Sequence, residues 1–251
     1  MQLNEFFKQN PRIAVAFSGG VDSSYLLFAA KEAQCDIHAF FIKSAFQPQF
    51  ELDEAISIAK NLEIPLTVDI FNILSEQEVT DNTPERCYIC KTKILNRLWT
   101  LARENGFNVL CDGTNADDDE SDRPGMKALR EQGVLSPLRI CSLDKNEIRK
   151  LSKLAGLPTH NKPAYACLAT RVPTGTEITR HYLEIVERAE KSLFEMEFSD
   201  FRVRIVPPKT AKLQVSGDQW DYAAKHRKEI IDKLGSDFDN IVLDLAERDR
   251  G

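Results

Sequence analysis

"AFSGGVDSS", residues 16–24, is the stretch on which the reading of this chain turns. It lies between "RIAVAF" (12–17), a short β-rich run, and "DSSYLLFAAKEAQ" (22–34), which reads as a helix with Asp22 near its start. A glycine-rich turn that leaves a strand and opens a helix is a natural anion site. Backbone N–H groups point into the turn, and the helix N-terminus adds about half a positive charge. Gly19 and Gly20 remove side chains that would block close approach, and the hydroxyls of Ser18, Ser23 and Ser24 add donors. A Walker A loop sends a lysine to the phosphates, and this loop has none. Asp22 beside an anion is repulsive unless it holds Mg²⁺, which neutralises phosphate charge. The competing reading is an ordinary Ser/Gly turn with Asp22 capping a helix.

The same alternation continues outward. "DIHAFFIK" (36–43) reads as a strand, "QFELDEAISIAKNL" (49–62) as a helix and "IPLTVDIF" (64–71) as a third strand. A long helix is expected over "CYICKTKILNRLWTLARENG" (87–106), closed by Gly106, then a fourth strand over "FNVLCDG" (107–113). In "LDKNEIRKLSKLAGLP" (143–158), Asp144 and Glu147 have capping-box spacing and Gly156 with Pro158 ends the helix. Strands alternating with helices predict parallel β-α-β units, hence an α/β fold with a doubly wound, mostly parallel sheet. Beyond a Pro/Thr/Gly-rich stretch (161–179) the pattern changes to a helix (178–197), strands "FRVRIV" and "AKLQVS", a helix (218–234) and a strand "NIVLDLA". Two domains are therefore expected: residues 1–174, and a smaller α+β domain over 175–251.

With 251 residues, 42% of them hydrophobic, the chain can bury a substantial core. No apolar run approaches the ~18–20 residues needed to span a bilayer, and "MQLNEFFKQNPR" lacks the plan of a signal peptide. A cytoplasmic protein with no membrane partner is the expectation. The net charge of −6 argues against nucleic acid as a partner, because phosphate neutralisation normally requires a basic face.

Six cysteines stand at 35, 87, 90, 111, 141 and 167. Cys35, Cys111 and Cys141 lie singly in or beside apolar runs and read as core residues. Cys87 and Cys90 form a C-x-x-C at the start of the long predicted helix, where two thiolates can face one metal. Cys167 lies in the loop joining the expected domains. The trio fits buried thiols, a zinc site completed by His160, or three ligands of a 4Fe–4S cluster with one iron open to an exogenous sulfide. The residues alone leave these open.

The loop matches every fixed position of S-G-G-x-D-S, the signature of the PP-loop ATP pyrophosphatases: Ser18, Gly19, Gly20, Asp22, Ser23. "LCDGTNADDD" (110–119) is similar to the Gly-Thr-x-x-Asp stretch that such enzymes place near ATP and Mg²⁺. Within that superfamily, "FSGGVDSS", "TPERCYICKTKI", "DGTNADDDESDRPGMKALREQGVLSPL", "CLATRVPTGTEIT" and "FRVRI" resemble the LarE sulfur transferases of nickel-pincer nucleotide biosynthesis.

That resemblance implies ATP, Mg²⁺ and a small nucleotide substrate, pyridinium-3,5-biscarboxylic acid mononucleotide. One of its carboxylates is adenylylated with release of pyrophosphate, then attacked by sulfur from a sulfide or other donor. Phe17, Ser18, Gly19, Gly20, Asp22, Ser23, Ser24, Lys43, Gly113 and Thr114 are expected at ATP, with Asp22 on Mg²⁺. The trio Cys87, Cys90 and Cys167 resembles that of the cluster-dependent variant and is expected to carry 4Fe–4S. Lys91 and Glu190 are expected to take catalytic parts, the first toward pyrophosphate charge. Arg171, Arg202 and Arg204 are expected to bind the anionic substrate, since Arg grips carboxylate and phosphate bidentately. Period-2 alternation puts Arg202 and Arg204 on one strand face, opposite Phe201, Val203 and Ile205. A homo-oligomer is implied by the resemblance. The rival from the same superfamily is a PP-loop tRNA thiolase. A zinc-stapled, non-catalytic ATP-binding module is the rival from another class.

Overall fold

Continuous apolar runs in the first three strands leave both faces of their sheet to be covered by helices. The computed structural model describes residues 1–118 and 124–247. In chain order the elements are α1 (Leu3–Gln9), β1 (Arg12–Ala16), α2 (Val21–Glu32), β2 (Asp36–Lys43), α3 (Gln49–Asn61), β3 (Leu66–Ile70) and α4 (Gln77–Thr80). Then come α5 (Arg86–Glu104), β4 (Leu110–Cys111), α6 (Pro124–Glu131), α7 (Pro137–Ile140) and α8 (Lys145–Leu154). α9 (Arg180–Glu195), β5 (Phe201–Val206), β6 (Thr210–Val215), α10 (Trp220–Lys225), α11 (Arg227–Leu234) and β7 (Asn240–Leu243) complete the chain.

The larger unit comprises Met1–Asn72 and Cys87–Ala164. Its sheet is parallel with order β3-β2-β1-β4. Alternate strand residues feed two cores. Ile13, Val15, Ile37, Ala39 and Phe41 pack with Leu26 and Leu27 of α2, Leu52 and Ala55 of α3, and Ile148 of α8. Ala14, Phe40, Ile42 and Leu110 pack on the other face with Leu95, Leu98 and Leu101 of α5 and Leu129 of α6. This is the doubly wound α/β arrangement expected. The chain steps from β1 outward to β3, then returns to the far side of β1 as β4. The loops after β1 and β4 therefore flank a topological switch point, where open α/β sheets bind ligands.

The smaller unit comprises Ile73–Arg86 and Tyr165–Gly251, so the division expected at 174/175 falls at 164/165, and an earlier excursion joins the second unit. Asn82 explains that excursion: its amide donates to the carbonyls of Pro173 (2.8 Å) and Thr176 (3.0 Å). The sheet has order β5-β6-β7, the first pair antiparallel and the second parallel. Phe201, Val203 and Ile205 are buried and Arg202 and Arg204 half-buried, as the alternation predicted.

Helices α1, α4, α6 and α7 were not among the expected elements, and two expected elements change in extent or break. The fourth strand shrinks from 107–113 to Leu110–Cys111, because Phe107 turns into the core and Gly113 packs on the start of α2. The helix expected over 218–234 breaks at His226, whose ring bonds the Tyr222 carbonyl (2.9 Å).

Candidate active site

The first turn of α2 is uncapped: Gly20 occupies the N-cap, without a side-chain cap bond. The orphan N–H groups of that turn face the loop end, the arrangement that binds anions. Gly19 sits at φ +70, where a Cβ would be strained and would come within 3.3 Å of Ala55. Ser23 and Ser24 are buried and serve the loop itself. Ser24 Oγ donates to the Gly20 carbonyl (2.7 Å), and Ser23 Oγ pairs with Ser18 Oγ (3.1 Å). Phe17 puts its ring in the core while its amide continues the sheet to Phe40. Lys43 Nζ donates to the Gln47 carbonyl.

Gly113 docks the second motif onto the first. A Cβ there would lie 2.8 Å from the amide nitrogen of Ser23, so only glycine permits this approach. Asp112, buried, accepts from Thr114 Oγ1 (2.6 Å) and Ser136 Oγ (2.7 Å), which holds the Gly-Thr turn in shape. The later acidic residues of that motif, and Arg123 of its "RPG" segment, fall in 119–123, outside the described residues.

Asp22 receives the ammonium of Lys145, a residue 123 positions away at the start of α8. Burial pushes the Asp22 carboxyl above the usual carboxylate range, and the Lys145 hydrogen bond pulls it back. Its second oxygen, Oδ1, is buried and has no partner among the described residues. An orphaned carboxylate oxygen beside an anion cradle suits a hard cation, so Asp22 fits Mg²⁺. Lys162 donates to the Gly19 carbonyl (3.1 Å) and pairs with Glu54. Arg149 holds the His160 and Lys162 carbonyls (2.7 and 2.9 Å). Lys145, Lys162 and Arg149 were not anticipated. Asp144 signals the helix start, but nothing local says that the next side chain reaches the loop.

In the smaller unit, Arg171 and Glu190 bury each other at 1% exposure each. Arg171 donates Nε (2.8 Å) and Nη2 (3.0 Å) to the two carboxylate oxygens, Tyr165 Oη adds 2.5 Å and the Val203 amide 2.9 Å. Nη1 of Arg171 bonds the Ala166 carbonyl (3.0 Å) and Thr170 Oγ1 (2.8 Å), so this pair fixes the segment carrying Cys167. The Arg171 fork expected at substrate is thus occupied by Glu190. Arg204 bonds the Thr170 carbonyl (2.8 Å) and Gln214 (2.5 Å), whereas Arg202 Nε is buried with no partner among the described residues. Burial, then repulsion from Arg171, pulls the Arg202 guanidinium below its ordinary range, and Arg204 is lowered by burial and by Arg202. Three guanidinium groups around one saturated carboxylate leave excess positive charge, which an anion can satisfy.

The family described as asparagine synthase matches residues 5–118, the segment that carries the loop and the Gly-Thr turn. Pyridinium-3,5-bisthiocarboxylic acid mononucleotide synthase of Lactiplantibacillus plantarum is 33% identical over 199 residues, 78% of this chain and 72% of its own. The chain belongs to the LarE family. It is an ATP-dependent sulfur transferase of the PP-loop type. Uncharacterized proteins of Synechocystis and Methanocaldococcus jannaschii are 36% and 34% identical, each over 80% of this chain. A tRNA-specific 2-thiouridylase of Pseudothermotoga lettingae is 28% identical over 60% of the chain and 54% of its own length. No described helix is long and apolar enough to cross a membrane.

The sulfur chemistry of a LarE protein directs attention to the cysteines. Cys87, exposed, and Cys90, buried, sit one turn apart on α5, with Lys91 beside them. Cys167 precedes a 3₁₀ turn (Leu168–Arg171), and Arg86 places Nη1 3.8 Å from the Cys167 sulfur. Arg86 is itself buried and anchored by Asn82 (3.3 Å). Three thiolates are the donor chemistry that a 4Fe–4S cluster takes. Among the described residues, no three His, Cys, Asp or Glu side chains are grouped to hold a metal ion. His160 spends Nδ1 on the Leu157 carbonyl (2.9 Å). Cys111 is buried in the core, as expected, and burial pushes the thiol of half-buried Cys35 up to about 11.

Proposed function

We propose that this protein converts a carboxylate of pyridinium-3,5-biscarboxylic acid mononucleotide into a thiocarboxylate, and then repeats the reaction on the second carboxylate. The observation that carries the reading is the Arg171–Arg202–Arg204 cluster with its unpartnered Arg202 Nε, in a LarE protein whose L. plantarum relative is named for this product class. A substrate with a phosphate and two carboxylates needs cationic forks of this kind.

In the first step a carboxylate oxygen bonds to the α-phosphorus of ATP, and the bond to the β-phosphate oxygen breaks. The loop N–H groups at Gly19 and Gly20 and the α2 terminus receive the departing pyrophosphate charge, with Lys91 as a further cation. Phe17, through its backbone, and Lys43, Gly113 and Thr114 border the nucleotide. Asp22 would hold Mg²⁺, which spreads phosphate charge. In the second step sulfur bonds to the acyl carbon and AMP departs with the acyl oxygen. Cys87, Cys90 and Cys167 would be the residues to hold a 4Fe–4S cluster, which would supply the sulfide. Arg202 and Arg204 orient the substrate. Glu190, with both oxygens engaged, contributes by fixing Arg171 and the Cys167 segment.

The test is anaerobic turnover with MgATP, sulfide and the biscarboxylic mononucleotide, alongside iron, acid-labile sulfide and zinc content per chain. Substrate-dependent release of pyrophosphate and AMP in equal amounts, with thiocarboxylate formed, is the expected result. Pyrophosphate release driven by bulk tRNA instead overturns the substrate. Zinc without iron, in protein that still transfers sulfur, overturns the cluster.

A further inference from the structure

The phosphate loop has no lysine of its own, yet a lysine lies on it. We infer that Lys145 is the exchangeable cation of this site: it neutralises Asp22 in the empty enzyme and passes to the pyrophosphate when a divalent cation takes Asp22. This rests on reading the loop as the pyrophosphate cradle. Several observations support it.

The base of Lys145 is held while its end, paired with Asp22, is partly exposed. Its amide donates to Asp117 Oδ2 (2.8 Å), and the Asp144 side chain before it accepts from the Glu147 amide (2.7 Å), so the start of α8 is pinned beside the loop. From that anchor four methylenes carry a compact charge that tolerates many geometries. The pair it makes is unsaturated. Lys145 is 32% exposed, and Asp22 Oδ1 still lacks a partner among the described residues. The neighbouring cations are committed: Lys162 to the Gly19 carbonyl and Glu54, and Arg149 to two carbonyls.

Charge balance then dictates the exchange. Without ligand, Asp22 and Lys145 cancel. Pyrophosphate entering beside Asp22 meets repulsion unless that carboxylate is neutralised by a divalent cation, which has an open oxygen to bind first. Once displaced, the ammonium is left at the edge of an anion and pairs with it, the part a P-loop lysine plays from within its own loop.

Isothermal titration of the full chain with magnesium pyrophosphate, and Mn²⁺ titration without pyrophosphate, test this on the unaltered protein and on Lys145→Met, with thermal melting as the folding control. Lys145→Met should bind magnesium pyrophosphate about tenfold more weakly, a loss of roughly 1.4 kcal/mol, and bind Mn²⁺ alone more tightly, because Asp22 has lost its competitor. Lys145→Arg should restore much of the pyrophosphate affinity. Exchange requires the two affinities to move in opposite directions, and any other result overturns it. Weakening of both would make Lys145 a structural brace. If the unaltered protein fails to bind magnesium pyrophosphate, the cradle reading falls and the inference with it. Normal binding unaffected by Lys145→Met removes the inference alone.

Discussion

Two ion pairs, one in each unit, show how the same chemistry serves opposite purposes. Arg171–Glu190 is sealed: both carboxylate oxygens accept two donors, and neither residue meets water. Lys145–Asp22 is open, with one oxygen unpartnered among the described residues and the lysine partly exposed. A saturated buried pair is rigid because every alternative leaves an uncompensated charge in a poorly polarisable interior. An unsaturated, partly exposed pair can rearrange, because a ligand can supply what is missing. The first pair holds a segment in place; the second lies at the first turn of α2, where the proposed pyrophosphate would bind.

The contrast can be tested by substitution. Glu190→Ala strands the Arg171 guanidinium and should cost about 3–5 kcal/mol of stability, read by urea denaturation. Arg171→Met with Glu190→Leu should recover much of that loss, and failure to do so would show that the pair is needed for more than its own neutrality. Gly113→Ala presses a methyl group onto the Ser23 backbone and should reduce pyrophosphate release about 10²-fold, the penalty of displacing a reacting group by roughly 1 Å, while the chain stays folded by circular dichroism. Arg202→Ala and Arg204→Ala should each raise the KM for the anionic substrate about tenfold, at the lower end of a charged hydrogen bond's worth, with ATP affinity unchanged. The smallest effect should come from Asp144→Ala, which removes the α8 cap at about 1 kcal/mol and should loosen the Lys145 anchor in hydrogen exchange.

Much of the fold was legible because its causes are local. β-rich runs separated by amphipathic stretches of helical length announce parallel β-α-β units, and β1 to β3, α5, α8 and α9 lie close to the expected ranges. Alternation in "FRVRI" placed two arginines opposite three core residues. Where the chain departed, long-range contacts were the cause. β4 stops early as Gly113 meets α2, and 73–86 joins the smaller unit through Asn82.

The PP-loop signature, the doubly wound sheet and the identity of the family were all readable from short strings with local periodicity or fixed spacing. Only the tertiary structure decided who pairs with whom. Lys145 reaches Asp22 from 123 positions away, and Arg171 turns from an expected substrate fork to a partner of Glu190. Burial is the physical reason. A charged side chain removed from water must find its counter-charge wherever the packed chain brings one, and no local pattern encodes that choice.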